Sequence, residues 1–186
     1  MHPRISELLD YVDAQTAVLR AAWDSLPEAR RAVRPSPDRW SPAEIIHHLT
    51  IVERRLVQRL AQLIEQAKAL PPEREAGPIL PSIDTSRVAV RGQRFRTSEA
   101  AEPRETDPGR VWQDYDEVRG RLRQVAASGA GLALGEVSAP HPILGEFSGY
   151  AWIAFAGSHA ARHADQLREI AGAVQSIGPG RRRSGY

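Results

Sequence analysis

Trp40-Ser-Pro-Ala-Glu-Ile-Ile-His-His-Leu49, the run WSPAEIIHHL, fixes where a long helix must begin. Ser41 suits the N-cap, Pro42 the first helical position, and Glu44 completes an S-x-x-E capping box. Trp40 before the cap and Ile45 after it can form a hydrophobic staple. The apolar periodicity then continues to about Ala69. With Ile45 as the angular reference and about 100° per residue, Val52, Leu56 and Leu63 all fall within about 20° of it. On the same wheel His48 sits at about −60°, flanking the apolar stripe, while His47 sits at about 200°, toward water or a surface contact. A histidine on an inner face is either a hydrogen-bonded core residue or a ligand.

Working outward, three more segments carry helical spacing. Residues 4–24 place Ile5, Leu8, Leu9, Val12, Leu19 and Trp23 on one stripe. A break with three prolines, from Leu26-Pro27 through RAVRPSPDR, separates this first helix from the second. A third helix reads from Arg110 to Ala127 through Val111, Tyr115, Val118, Leu122 and Val125. After the Gly- and Pro-rich loop SGAGLALGEVSAPHPILGEF, a fourth runs from Ser148 to about Ser176. Between the second and third helices the pattern lapses. Prolines 71, 72, 78, 81, 103 and 108 forbid a long helix, and SRVAVRGQRF, with Val88, Val90 and Phe95, reads as a short extended piece. A connection of that length suits a crossover between parallel neighbours. The expected fold is all-α: a four-helix bundle with a long crossover between its second and third helices, one domain over residues 1–177. Residues 178–186 form a basic tail expected to be disordered.

Composition narrows the chemistry. The chain has 186 residues, enough for one well-packed domain, and no cysteine. Disulfides, zinc–thiolate sites and a cysteine nucleophile are therefore excluded, and any metal must be held by histidine or carboxylate. No run approaches the ~20 apolar residues of a membrane span. The polar start MHPRISELLDYVD lacks the apolar core of a secretion signal, so a reducing cytoplasm is the expected location. The formal net charge of +2 includes Arg181, Arg182 and Arg183, which leaves a near-neutral body. Nucleic acid is not an expected partner, because no basic stripe is interleaved with aromatics.

In AWIAFAGSHAARHADQLREI, His159 and His163 are an i, i+4 pair on the face that also carries Trp152, Phe155, Gln166 and Ile170. Two imidazoles a turn apart can reach one divalent ion with bonds of about 2.0–2.1 Å. Together with His48 they supply three nitrogen donors. Three protein ligands without a fourth is the pattern of a catalytic metal, with water or substrate completing the shell. Glu53, at about +80° on the second helix, is either a group that orients a ligand or acts as a base, or a surface carboxylate. Arg162 beside the ligand face can hold a carboxylate or phosphate, or form a structural ion pair. Gln166 is a candidate support for His163. His141, between two prolines, shapes its turn or approaches the pocket mouth, and Trp40, Trp112 and Trp152 read as packing residues.

These blocks resemble the DinB-like superfamily of metal-binding four-helix bundles, which includes the YfiT-like proteins. The resemblance rests on Trp40, Ser41, Glu44, His48 and Glu53, then on His141-Pro142, Gly145, Trp152, His159, Arg162, His163 and Gln166, in order along most of the chain. It implies a divalent metal (zinc, nickel, iron or manganese) on His48, His159 and His163. Proteins that look like this include thiol S-transferases using low-molecular-weight thiols and a thiol-dependent maleylpyruvate isomerase, and homodimers are frequent among them. Three readings follow: a metal-dependent transferase or hydrolase acting on a small-molecule substrate, a non-catalytic stress-response bundle that binds a metal or small ligand, and a metal-free structural bundle.

Overall fold

The computed structural model describes residues 2–71, 77–89 and 98–176. Four long helices carry the fold: α1 (Pro3–Asp24), α3 (Pro42–Gln66), α5 (Val111–Ser128) and α6 (Gly149–Ser176). Two single-turn helices, α2 (Glu28–Arg31) and α4 (Ser86–Ala89), sit in the connections. A two-stranded antiparallel hairpin, β1 (Ser138–His141) and β2 (Gly145–Ser148), precedes α6. No helix among the described residues is long and apolar enough to cross a membrane.

Side-chain pairs give the directions of the helices. Arg4 lies over the Tyr150 ring and Tyr11 bonds Ser158, so α1 and α6 run the same way. His47 meets Thr106 ahead of α5, and Ile64 lies against Gly129 just beyond it, so α3 and α5 are also parallel. Ion pairs Arg20–Asp116 and Asp13–Arg123 make α1 antiparallel to α5. Contacts of Arg39 with Glu169, and of His48 with His163, make α3 antiparallel to α6. The order is up-down-down-up, and the segment between α3 and α5 returns the chain along the bundle as the expected crossover. Ile5, Leu8, Ile45, Leu49, Leu60, Leu122, Ile153 and Leu167 are buried in one core between the helices. Their three- and four-residue spacing is the reason each helix has only one apolar side.

Three local expectations need correction. The second helix ends at Gln66, not Ala69, because Ala67 turns extended and the chain pairs with the loop after α5. Leu70 N–H bonds Gly131 O, and Ala133 N–H bonds Lys68 O, satisfying backbone groups that another helical turn would have used. Within SRVAVRGQRF, Ser86–Ala89 is a helical turn rather than an extended piece, started where Asp84 accepts the Ser86 N–H. Val90 and Phe95 lie outside the described residues, as does the basic tail. The loop before α6 contains the hairpin, which the sequence hides behind Pro140 and strands of four residues. Its three-residue turn closes because Gly145 adopts φ +86°.

Candidate metal centre

The capping box that starts α3 forms in both directions: Ser41 Oγ accepts from Glu44 N–H at 3.2 Å, and Glu44 accepts from Ser41 N–H at 2.7 Å. Arg34 grips the same Glu44 carboxylate. With the helix phase fixed there, His48 turns inward and is 5% exposed. Its Nδ1–H donates to the Ala101 carbonyl at 2.8 Å, a contact supplied by the crossover. The Trp40 ring leans on the imidazole at 4.8 Å, so Trp40 walls this histidine.

From α6, His163 donates through Nδ1 to Gln166 Oε1 at 2.9 Å. Its Nε2 stands 3.0 Å from Nε2 of His159. One ligand nitrogen from each of His48, His159 and His163 falls within 4.8 Å of the others. The Nδ1 protons of His48 and His163 are committed to oxygen acceptors, so each Nε2 is the unprotonated nitrogen of its ring. Two nitrogens bonded to one tetrahedral ion stand about 3.3 Å apart, close to the His159–His163 spacing. His159 Nε2–H can donate to His163 Nε2 at that distance, and a cation can take the place of that proton. The donor set therefore fits a divalent metal.

Burial drives the His48 pKa down to about 4, with the Ala101 carbonyl and His47 as smaller influences. His159 is held well below the usual histidine value by burial first, and then by His163, His48, Arg162 and Arg119. Both rings are neutral at pH 7, the form that binds metal.

The remaining sequence candidates separate clearly. Gln166 meets His163, as its spacing suggests. Glu53 is no surface carboxylate: it is 3% exposed, and its Oε1 lies 3.1 Å from Arg119 Nε. Burial pushes its carboxyl up to about 7 against the pull of Arg119. Arg162 donates to the Val88 carbonyl at 3.4 Å, tying α6 to the crossover. His141 shapes its turn, accepting at Nδ1 from the amides of Ile143 and Leu144. Its ring also packs on Phe147, Trp152 and Phe155, and Phe155 in turn stacks on His159 at 5.1 Å. His47 faces away from the other histidines and bonds Thr106 at 2.9 Å. Trp112 packs edge-on against Trp23 and Tyr115, as a core residue should.

Arg119 escapes the spacing argument for histidines, although its position is informative. At about 40° from Tyr115 it stands inside the apolar stripe of α5, where an arginine requires a buried partner. The Ala101 carbonyl has no sequence signal, because a main-chain acceptor in an irregular segment leaves none.

A cavity of about 420 Å³ adjoins this region, enclosed by the crossover, the hairpin and α6. Ile83, Val88, Leu144, Phe147, Ala154 and Phe155 form much of its wall, and Phe155 is shared with the histidine site.

No curated protein matches the chain. The family model for the DinB superfamily matches residues 11–167, a span that begins within α1 and includes His48, His159 and His163. With that match over most of its length, and with the bundle and histidine cluster described above, the chain belongs to the DinB superfamily.

Proposed function

We propose that this protein is a metal-dependent enzyme that joins a low-molecular-weight thiol, or water, to a small electrophilic substrate. The observation that carries the reading is the convergence of three imidazole nitrogens, two of them with tautomers fixed by outer hydrogen bonds. When bound there, a divalent metal supplies Lewis acidity, which brings the pKa of a thiol or water in its open position toward neutrality. The chain has no cysteine, so the thiol comes from a cofactor.

The residues have separable tasks. His48, His159 and His163 hold the ion in neutral form. Ala101 and Gln166 keep two of the rings aimed. Arg162 places a fixed positive charge beside His159 and favours an anionic nucleophile there. The cavity walled in part by Ile83, Phe147 and Phe155 receives the apolar part of the substrate.

The test is conjugation of a panel of small thiols to a chromogenic electrophile by the zinc-, nickel-, iron- and manganese-loaded protein. Turnover is expected with at least one metal, and is lost on chelation and in His48→Ala. Metal binding without turnover of any thiol or ester would favour the non-catalytic binding reading. Turnover undiminished in His48→Ala would sink the metal mechanism.

A further inference from the structure

One turn from the imidazoles lies a buried charged group for which the proposed chemistry has no use. Arg119 leaves α5 and crosses the interior to its diagonal partner α6, donating through Nη2 to the Ala156 carbonyl at 3.1 Å. Its Nε–H donates to Tyr115 Oη at 2.9 Å, and Nε stands 3.1 Å from Glu53 of α3. The side chains of Arg119 and Glu53 are 10% and 4% exposed. A single guanidinium therefore links three of the four long helices, and its planar fork fixes their spacing.

The anchor points flank the histidines. Glu53 follows His48 by five residues on α3, and Ala156 precedes His159 by three on α6. Because α3 and α6 run in opposite directions, both anchors fall on the same side of the histidine layer. They are displaced along the bundle by about 7.5 Å and 4.5 Å. The histidines come from these same two helices, so the distance between α3 and α6 at this level decides whether His48 reaches the other two.

The pair is poorly arranged for stability alone. Glu53 Oε1 meets Arg119 Nε only as an ion pair, since that N–H is donated to Tyr115, and neither Oε1 nor Arg119 Nη1 makes a hydrogen bond among the described residues. Burying two charges costs several kcal/mol per ion, and replacing such a pair by apolar residues is often neutral or stabilising. An element that adds little stability of its own, and sits against a cluster whose three donors must meet at one ion, has a geometric use.

We propose that Arg119, held by Glu53 and Tyr115, is a positioning residue that sets the α3–α6 spacing for the three-histidine centre. It acts through the helices and touches neither metal nor substrate. Glu53 then serves as its anchor rather than as a base. The proposal rests on the metal reading.

The test compares zinc affinity, by competition with a chromogenic chelator, with the urea midpoint of the metal-free protein. Arg119→Lys keeps the charge and loses the fork; Glu53→Gln/Arg119→Met removes both charges at similar volume. In Arg119→Lys, zinc affinity is expected to fall 10- to 100-fold, as for other outer supports of metal ligands. The double variant should match or exceed the wild-type urea midpoint yet remain at least 10-fold weaker for zinc. A merely structural pair would let affinity recover together with stability. Wild-type zinc affinity in both variants overturns this proposal alone. A wild-type chain that binds none of zinc, nickel, iron or manganese overturns the metal reading and this proposal with it.

Discussion

His163 gives its Nδ1 proton to Gln166, one turn farther along α6, and that contact decides what the other ring nitrogen offers to His159. With the proton committed at 2.9 Å, Nε2 is a lone pair aimed into the cluster. Gln166→Leu frees the ring to adopt either tautomer and to rotate. Metal affinity should fall by about 10- to 100-fold while the helix content stays unchanged. Gln166→Glu retains an acceptor and should bind within a few-fold of wild type. Calorimetric zinc titration separates the two.

Alanine at His48, His159 or His163 should abolish stoichiometric metal retention, whereas His47→Ala should leave it intact, because His47 bonds Thr106 on the other side of α3. Added zinc at about 100 times its Kd should stabilise the wild-type fold by about 2.7 kcal/mol. Elemental analysis and urea midpoints with and without zinc measure both effects. Retention by His159→Ala would remove the case for this ligand set.

The metal-free protein should lose stability in mild acid. His48 titrates near 4 in the folded chain and near 6.5 unfolded. Between those values the unfolded state binds the extra proton, so stability rises with pH across the window and falls on acidification. The loss attributable to His48 by pH 4 is on the order of 3 kcal/mol, and the lowered His159 adds to it. Glu53 opposes this, since its raised pKa lets the folded state take a proton first between about 7 and 4.5. His48→Gln should therefore flatten the acid loss, and Glu53→Gln should steepen it. Urea midpoints at pH 7 and 5 suffice, and an unaltered slope in His48→Gln would contradict the assignment.

Gly157 lets α6 pack directly against Tyr11 of α1. A Cβ built there would meet Tyr11 Cε1 at 2.6 Å, so Gly157→Ala must push the ring away or part the helices. A cost of about 1–3 kcal/mol is expected, despite the better helix propensity of alanine. Tyr11→Ala/Gly157→Ala should recover part of it. Thermal melts of the wild type and the two variants check this.

The helices were legible because each has one apolar side, and the capping box at Ser41 is a local signal that needs no tertiary context. His48 and the His159–His163 pair were legible for the same reason: helical phase alone assigns them to an inner face. The hairpin was not, since its pairing depends on a positive φ at Gly145 and a partner strand rather than on alternation. The support of His48 by Ala101 was also invisible, because a carbonyl carries no residue identity. Glu53 was read from one helix only. Its neighbour Arg119 lies on another, and the pairing exists only once α3 and α5 are side by side.

The contact between Tyr11 and Ser158 joins residues 147 positions apart. Helix α1 is thus partnered with α6, and His48 waits for ligands more than 100 residues downstream. Closing such long loops costs entropy before any packing is regained, which slows folding relative to a bundle of sequential hairpins. During synthesis α1 can meet α5 first, through Trp23 and Trp112, but its side facing α6 stays uncovered until α6 has emerged. For that interval the nascent chain exposes apolar surface and is open to misassembly.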